Sequence, residues 1–201
     1  MRNLIGKKAI DFTAPAVLKN GFVVENFNFY ESIKNKRALL FFYPMDFTFV
    51  CPSELIALNN RINEFNSRNV EVVTVSIDSH YVHKAWQKTP ITFGGVGEDI
   101  KYSMVSDIKR NIMLSYGLDN VSGVAYRGTF IIDDKKNIRI QHIHDFPIGR
   151  NIDEYIRLFD ALDFHSKHGY VCQAGWVKGK KGIIPSSKGI GQFLTSESEK
   201  L

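Results

Sequence analysis

The chain has 201 residues, of which 44% are hydrophobic and 23% are charged. That composition suits one packed domain and excludes a disordered or low-complexity protein. The formal net charge is +5, but the basic residues are scattered instead of forming a stripe, which argues against a nucleic-acid binder.

No apolar run reaches the roughly 18 residues that a membrane-spanning helix needs. The first twenty residues also lack the continuous apolar core of a secretory signal and the Arg- and Ser-rich composition of a transit peptide. We therefore expect a cytoplasmic protein.

From residue 37 onwards, apolar runs typical of buried strands alternate with segments whose apolar residues recur every three or four positions. The predicted strands lie at 37–44, 70–78 and 102–107, and the predicted helices at 53–68, 79–90 and 108–118. A parallel pair of strands needs a helical crossover, which the helix over 53–68 supplies.

A hairpin around the turn DDKKN is predicted over 128–144, followed by a helix over 151–169 that Gly169 closes. Strands and helices in this order predict an α/β sandwich with a mixed central sheet flanked by helices. Periodicity is lost after Gly169. We therefore expect a domain over residues 1–169 and an extended C-terminal arm over 170–201.

The motif FYPMDFTFVCPSE places Cys51 where a predicted strand gives way to a predicted helix. Pro52 suits the first turn of a helix, so Cys51 should face unpaired backbone N–H groups and the positive end of the helix dipole. Both favour a thiolate, the reactive form of cysteine, and Thr48 can offer it a hydroxyl. A buried, inert cysteine is the alternative, and placement alone does not decide between the two.

The second cysteine, Cys172, lies in the predicted arm, where Tyr170 and Trp176 are candidate apolar anchors. In a reducing compartment a lasting disulfide with Cys51 is not expected. The two cysteines therefore either take part in a reaction or occur at these positions by chance.

Metal binding is disfavoured by the spacing of the candidate ligands. There is no C-x₂-C, and structural zinc sites usually take four nitrogen or sulfur ligands. The histidines come in pairs without an evident third ligand, at His80 and His83, His142 and His144, and His165 and His168. We predict neither a metal site nor a cofactor.

The motif around Cys51 closely resembles the peroxidatic loop of typical two-cysteine peroxiredoxins, the group that includes the peroxidase subunit of alkyl hydroperoxide reductase. Four further segments are similar to segments of that family: LIGKKAIDFTAPAV, GVAYRGTFIID, GRNIDE and VCQAGW. They occur in the family's order over nearly the whole chain. The resemblance implies a thioredoxin-like sandwich.

The resemblance also implies a catalytic set. Cys51 corresponds to the peroxidatic cysteine and Cys172 to the resolving cysteine. The remaining members are Pro44, Thr48 and Arg127, with Glu54 and Arg150 as a supporting pair that orients the site.

The implied activity is antioxidant: hydrogen peroxide and organic hydroperoxides oxidise Cys51 to a sulfenic acid. Cys172 of the other subunit of an antiparallel homodimer then closes an intersubunit disulfide. A thioredoxin-like or flavoprotein-linked dithiol reductase reopens it. The dimers are expected to assemble into a ring, a decamer, with Phe47 and Val82 at the ring contact.

Three positions depart from the family pattern. GGVG at 94–97 stands where oxidation-sensitive members carry Gly-Gly-Leu-Gly, Phe193–Leu194 replaces a C-terminal Tyr-Phe, and Gln173 replaces a proline. The first two elements slow unwinding of the active helix in the family, so we expect intermediate sensitivity to over-oxidation.

Two functions other than a peroxidase are compatible with a reactive cysteine. A general disulfide oxidoreductase is disfavoured because Glu54 stands where the second thiol of C-x-x-C would be. A ring-shaped chaperone or redox relay stays open as an additional role.

Overall fold

The computed structural model describes residues 2–201, apart from the side chain of Lys200. The chain forms two compact units, one ending at Ile152 and the other comprising Asp153–Leu201. The second unit joins the helix before Gly169 to the C-terminal segment, whereas the sequence places the boundary after Gly169.

The first unit is built on a seven-stranded mixed sheet. The strands are β1 (Thr13–Val17), β2 (Val23–Asn28), β3 (Arg37–Phe42), β4 (Val70–Ser76), β5 (Ser103–Ser106), β6 (Arg127–Ile132) and β7 (Ile138–His144). Their order is β2-β1-β5-β4-β3-β6-β7, with β3, β4 and β5 parallel and the remaining pairs antiparallel. This confirms the predicted mixed sheet and the predicted hairpin.

The helices of this unit are α1 (Phe29–Ser32), α2 (Cys51–Asn60), α3 (Ile62–Asn66), α4 (His80–Lys88) and α5 (Asn111–Ser115). The first, α1, is not predicted from the sequence, and the others lie within the three predicted segments or within two residues of them but are shorter than predicted. The single helix predicted over 53–68 is wrong, because Arg61 leaves the helical region at φ −104° and ψ 6° and divides it into α2 and α3. α4 agrees closely with its prediction: Ser79 caps its start, and it ends before Pro90.

The central strands carry the core of this unit. Every residue of β4 and nearly every residue of β3 is buried, as expected of parallel strands covered on both faces. Phe42 pairs with Val75, so β3 and β4 end at the same edge of the sheet. The loops that follow them meet there, since the backbone N–H of Asp46 donates to Oδ2 of Asp78 at 2.8 Å. This edge is where α/β sheets usually place a site.

The sequence does not predict the N-terminal hairpin of β1 and β2. β1 contains Pro15, and the register shifts between Ala14 and Ala16, so the proline occupies an irregularity in the ladder. β2 is an exposed edge strand with little apolar alternation. A proline within a strand and the lack of apolar alternation both remove the sequence signals from which strands are identified.

The second unit contains all but the first residue of α6 (Ile152–His168), which agrees with the predicted helix. It also contains α7 (Ser187–Glu197), which the sequence does not predict. Two glycines lower the helical propensity of α7. Gly189 is needed there because a Cβ at this position would lie 2.4 Å from the carbonyl oxygen of Ile184. The C-terminal segment therefore carries regular structure of its own.

Across residues 2–201, no helix combines the length and the apolar composition that crossing a bilayer requires.

Candidate active site

Cys51 is the first residue of α2, as predicted, and its exposed fraction is 0%. Val50 is the N-cap residue and makes no side-chain cap, while Pro52 stands in the first turn. The thiol therefore lies at the positive end of the α2 dipole, and Val50 offers no competing side-chain cap.

Thr48 is the nearest hydroxyl to this thiol. Its Oγ1 lies 2.9 Å from Sγ of Cys51 and 2.8 Å from the carbonyl oxygen of Met45. A hydroxyl has one hydrogen, so Thr48 donates to one of these two acceptors at a time. The hydroxyl can thus turn between the loop backbone and the sulfur.

Arg127 supplies the cation of the site from the first position of β6. Its Nη1 lies 3.4 Å from Sγ of Cys51 and 2.7 Å from Oε2 of Glu54, and its Nε donates to the carbonyl oxygen of Phe146 at 2.8 Å. These contacts fix the plane of the guanidinium against the sulfur. The Phe146 carbonyl is a functional group that the sequence does not identify, because any residue can supply it.

Glu54 binds a second guanidinium, that of Arg150. Nε of Arg150 lies 2.8 Å from Oε1 of Glu54, Nη2 lies 3.0 Å from Oε2, and the backbone N–H of Arg150 donates to Oε1 at 2.9 Å. Burial by itself raises the pKa of the Glu54 carboxyl. The hydrogen bonds and charge of Arg150, with the charge of Arg127, outweigh burial and hold that pKa below its ordinary value.

Arg150 is anchored by the sheet itself. Its Nη1 donates to the carbonyl oxygens of Phe42 and Gly128, at 2.9 and 3.0 Å, and to Oγ1 of Thr129 at 3.0 Å. Its guanidinium carbon lies 3.2 Å from the centre of the Phe41 ring. Because β3 and β6 hold Arg150, the sheet positions Glu54 and, through Glu54, Arg127.

The loop that carries Thr48 is pinned by a buried cluster that the sequence does not reveal. Oη of Tyr43 donates to Oδ1 of Asp46 at 2.6 Å, and Nδ1 of His83 lies 2.7 Å from Oδ2 of Asp46. Asp46 is two residues before Thr48, so these bonds fix the loop near the thiol. Pro44 is buried beside Tyr43 at the end of β3, which places the predicted Pro44 in this loop.

Both ring nitrogens of His83 face acceptors, since Nε2 lies 3.2 Å from the carbonyl oxygen of Val105. Two acceptors require two N–H donors, which is the imidazolium form. Burial lowers the pKa of His83, but the charge and hydrogen bond of Asp46 outweigh it, and the pKa lies above its ordinary value. Asp46, Asp78 and His83 also bring ligand atoms within 4.8 Å of one another. Because protein acceptors already engage both nitrogens of His83, the cluster suits a structural ion pair better than a metal.

Phe47 adds backbone strain to the same loop, with φ at +54°, a region that non-glycine residues rarely adopt. Its ring lies 5.8 Å from that of Trp86, centre to centre.

Cys172 lies in the second unit, half-buried, with Sγ 3.6 Å from the carbonyl oxygen of Ala161. Both cysteines are free thiols. Burial raises the pKa of the Cys172 thiol, and the positive charge of Arg157 opposes that rise. Of the predicted residues, the structure thus brings together Cys51, Pro44, Thr48, Glu54, Arg127 and Arg150 within the first unit.

Known proteins match the chain over most of its length. Residues 5–141 match the AhpC/TSA family, and residues 161–196 match the C-terminal domain of 1-Cys peroxiredoxin. The chain is 50% identical over 196 residues to alkyl hydroperoxide reductase C of Buchnera aphidicola subsp. Acyrthosiphon pisum, covering 97% of this chain and 99% of that protein. It is 45% identical over 195 residues to peroxiredoxin-1 of Gallus gallus, covering 96% of each.

A crystal structure of a reduced 2-Cys peroxiredoxin from Plasmodium vivax superposes with a TM-score of 0.92 at 41% identity, covering 96% of this chain and 100% of that one. The fold is therefore the predicted thioredoxin-like sandwich. The name of the second matched region refers to one-cysteine proteins, yet here that region contains Cys172. The chain belongs to the AhpC/TSA family and is a peroxiredoxin enzyme.

Proposed function

We propose that this peroxiredoxin reduces hydrogen peroxide and organic hydroperoxides with Cys51 as its peroxidatic cysteine and Cys172 as its resolving cysteine. The observation that supports Cys51 is the pair of donors around a buried sulfur: Oγ1 of Thr48 at 2.9 Å and Nη1 of Arg127 at 3.4 Å. Such donors stabilise a thiolate, because they offset the free energy that burying its negative charge requires.

In the first step, the Cys51 thiolate attacks one oxygen of the peroxide. An S–O bond forms and the O–O bond breaks, so sulfur is oxidised to a sulfenic acid while the second oxygen leaves with the electron pair. That oxygen takes up a proton and departs as water or an alcohol.

The leaving oxygen gains negative charge in the transition state, and the cation and the hydroxyl beside Cys51 can stabilise that charge. Arg127 is permanently cationic, and Glu54 and the Phe146 carbonyl hold its guanidinium in place. The Thr48 hydroxyl can turn from Met45 or the sulfur towards the peroxide. Donors fixed before the reaction stabilise the transition state more than the bound peroxide, which accelerates the step.

In the second step, the Cys172 thiol of the other subunit attacks the Cys51 sulfenic sulfur. An S–S bond forms, the S–O bond breaks, and the hydroxyl leaves as water with the thiol proton. Cys51 is fully buried in the reduced state. The first turn of α2 must therefore unwind to expose its sulfur.

A dithiol reductase, thioredoxin-like or flavoprotein-linked, then reduces the disulfide by exchange and restores both thiols. An antiparallel homodimer, assembled further into a ring with Phe47 and Val82 at the contact, belongs to the same proposal. We also propose a cytoplasmic location, because a reducing compartment returns both cysteines to thiols between turnovers.

Non-reducing electrophoresis after one equivalent of peroxide tests both cysteine roles. Wild type should form a covalent dimer, and neither Cys51→Ser nor Cys172→Ser should form the same Cys51–Cys172 dimer. Cys172→Ser should still consume one equivalent of peroxide, whereas Cys51→Ser should consume none rapidly. Rapid consumption by Cys51→Ser, or an unchanged oxidised dimer in Cys172→Ser, would refute the assignment.

A further inference from the structure

The segment that carries Cys172 forms a closed loop within the second unit. The backbones of Val171 and Ile183 bond to each other in both directions, at 3.0 and 2.8 Å. Between them, Trp176 is only 1% exposed, and its ring lies 4.9 Å from that of Phe164 on α6. The loop is therefore docked on α6 and does not hang free.

Arg157 on α6 fastens this loop to the helix. Its Nη1 donates to the carbonyl oxygen of Trp176 at 2.6 Å. The same guanidinium binds Glu154 through two bonds, from Nε to Oε2 at 2.6 Å and from Nη2 to Oε1 at 2.7 Å. The two bonds to the Glu154 carboxylate fix the plane of the guanidinium. Nη1 is therefore held in the direction of the Trp176 carbonyl oxygen.

The same residue acts electrostatically on the thiol. Burial raises the pKa of Cys172, and the charge of Arg157 works against that rise. Glu154 is bound to Arg157, and Nδ1 of His165 on α6 lies 2.8 Å from the carbonyl oxygen of Tyr170. Asp160, Asp163 and Lys167 of α6 line a pocket together with Trp176 and Lys178 of the loop. Within the loop, the three lysines at 178, 180 and 181 are exposed, where solvent screens their charge.

We propose that Arg157 is a positioning residue for the resolving reaction, holding the Cys172 loop through Trp176 and favouring the Cys172 thiolate. This inference rests on the proposed function, in which Cys172 attacks the Cys51 sulfenic acid. The thiolate is the attacking species, and it is also the group that leaves when a reductase attacks the other sulfur of the disulfide. Arg157 resembles Arg127 in being held by a glutamate. Arg127 contacts the sulfur of Cys51, whereas Arg157 acts on Cys172 through the Trp176 carbonyl and through its charge.

The test separates the two chemical steps in the full-length protein. Arg157→Ala, Arg157→Lys and a control, Lys167→Ala, are mixed with one equivalent of hydrogen peroxide between pH 6 and pH 9. Lys167 lies exposed on the same helix, so its loss removes a charge without removing a contact to Trp176. Rapid quenching with mass spectrometry follows the Cys51 sulfenic acid and the Cys51–Cys172 disulfide separately.

Sulfenic acid should form at the wild-type rate in every variant. Disulfide formation in Arg157→Ala should be about tenfold slower at neutral pH. The deficit should shrink as the pH rises to the residual deficit of Arg157→Lys, because the thiolate then forms without the cation whereas the contact to Trp176 stays lost. Arg157→Lys retains the charge, so its pH profile should stay near that of wild type while its maximal rate falls. Lys167→Ala should match wild type in both steps.

A purely structural role for Arg157 would slow the Arg157→Ala variant by the same factor at every pH, and that result would overturn the proposal. A wild-type rate and pH profile in Arg157→Ala would overturn it too. Arg157→Lys keeps the test decisive if Arg157→Ala does not fold, since a lysine profile displaced to higher pH would contradict a role for the charge. A wild-type protein whose disulfide lacks Cys172 would instead refute the proposed function.

Discussion

Nη1 of Arg127 lies 2.7 Å from Oε2 of Glu54, and both side chains are almost completely buried. The same nitrogen is 3.4 Å from the Cys51 sulfur, so the carboxylate fixes the cation that faces the thiol. Glu54 also binds Arg150, which the backbones of β3 and β6 hold. The orientation of the cation that faces Cys51 therefore depends on Glu54, which binds both guanidiniums.

Glu54→Gln should slow peroxide reduction by roughly one to two orders of magnitude, somewhat less than loss of a direct oxyanion donor. The amide is neutral and keeps one accepting oxygen, while its NH₂ group would face guanidinium donors in place of the other oxygen, so Arg127 and Arg150 are held less firmly. Breaking this buried pair should also destabilise the protein by about 3–5 kcal/mol. Single-turnover peroxide consumption and urea unfolding measure the two effects.

Glu64→Gln is the matched control, because Glu64 is bound to Arg68 on the surface and its side chain is 56% exposed. Surface pairs contribute about 0–1 kcal/mol, so this variant should keep both the rate and nearly all the stability. Equal behaviour of the two variants would contradict a special role for Glu54.

Thr48→Val should lower the rate of peroxide reduction by about 10²–10³-fold, the usual cost of removing one donor to a developing oxyanion. Valine keeps the branched shape but not the hydroxyl that lies 2.9 Å from the sulfur. Thr48→Ser retains the hydroxyl and should stay within about tenfold of wild type. If valine and serine variants react equally fast, the hydroxyl has no part in the step.

The sequence predicts the position of Cys51 well because its determinants are local. A strand that ends near Pro44 and a helix that begins beside Pro52 are both visible in thirteen consecutive residues. The family resemblance adds Arg127, Glu54 and Arg150 but not what holds them. The carbonyls of Phe42, Gly128 and Phe146 become ligands only when strands distant in sequence meet.

The cluster around Asp46 illustrates the same limit. Asp46 and His83 are 37 positions apart, and each alone resembles an ordinary polar residue in a loop or on a helix. Only the shared edge of β3 and β4 brings them together. α7 escapes prediction for a different reason: its two glycines lower helical propensity, and Gly189 is required by its close approach to the carbonyl oxygen of Ile184.

His83→Gln should destabilise the protein more at low pH than at high pH. The folded-state pKa of His83 is raised above its unfolded value. Its ion pair with Asp46 therefore contributes fully below about pH 6.5, the ordinary value for histidine. The contribution is lost as the pH rises through the higher folded-state value.

The measurement is the free energy of unfolding in urea at pH 5.5 and pH 9, at one fixed protein concentration because assembly affects stability. We expect a difference between wild type and variant of about 3–5 kcal/mol at pH 5.5 and a smaller one at pH 9. His168→Gln, at an exposed position of α6, should show no such trend. A difference that grows with pH would mean that His83 is not an imidazolium in the folded protein.

The sensitivity of Cys51 to over-oxidation, the conversion of its sulfenic acid to sulfinic acid by excess peroxide, should be intermediate between those of sensitive and resistant peroxiredoxins. The glycine-rich loop at 94–97 is retained and firmly held, since Nε1 of Trp86 donates to the carbonyl oxygen of Gly94 at 2.7 Å. A Cβ at Gly95 would lie 1.8 Å from the carbonyl oxygen of Thr89, so this close approach requires glycine. The changed element is α7, where Phe193 is half-buried and Leu194 exposed.

The experiment is mass spectrometry of Cys51 after graded hydrogen peroxide in the presence of a dithiol reductant. Wild type should accumulate sulfinic acid at intermediate doses. The double change Phe193→Tyr and Leu194→Phe should lower the dose needed, because in oxidation-sensitive members of the family that C-terminal pair slows unwinding of the active helix, which would prolong the life of the sulfenic acid. Lys188→Ala in the first turn of α7 is the control and should leave the dose unchanged. Sulfinic acid that is absent at every dose, or complete at one equivalent, would contradict intermediate sensitivity.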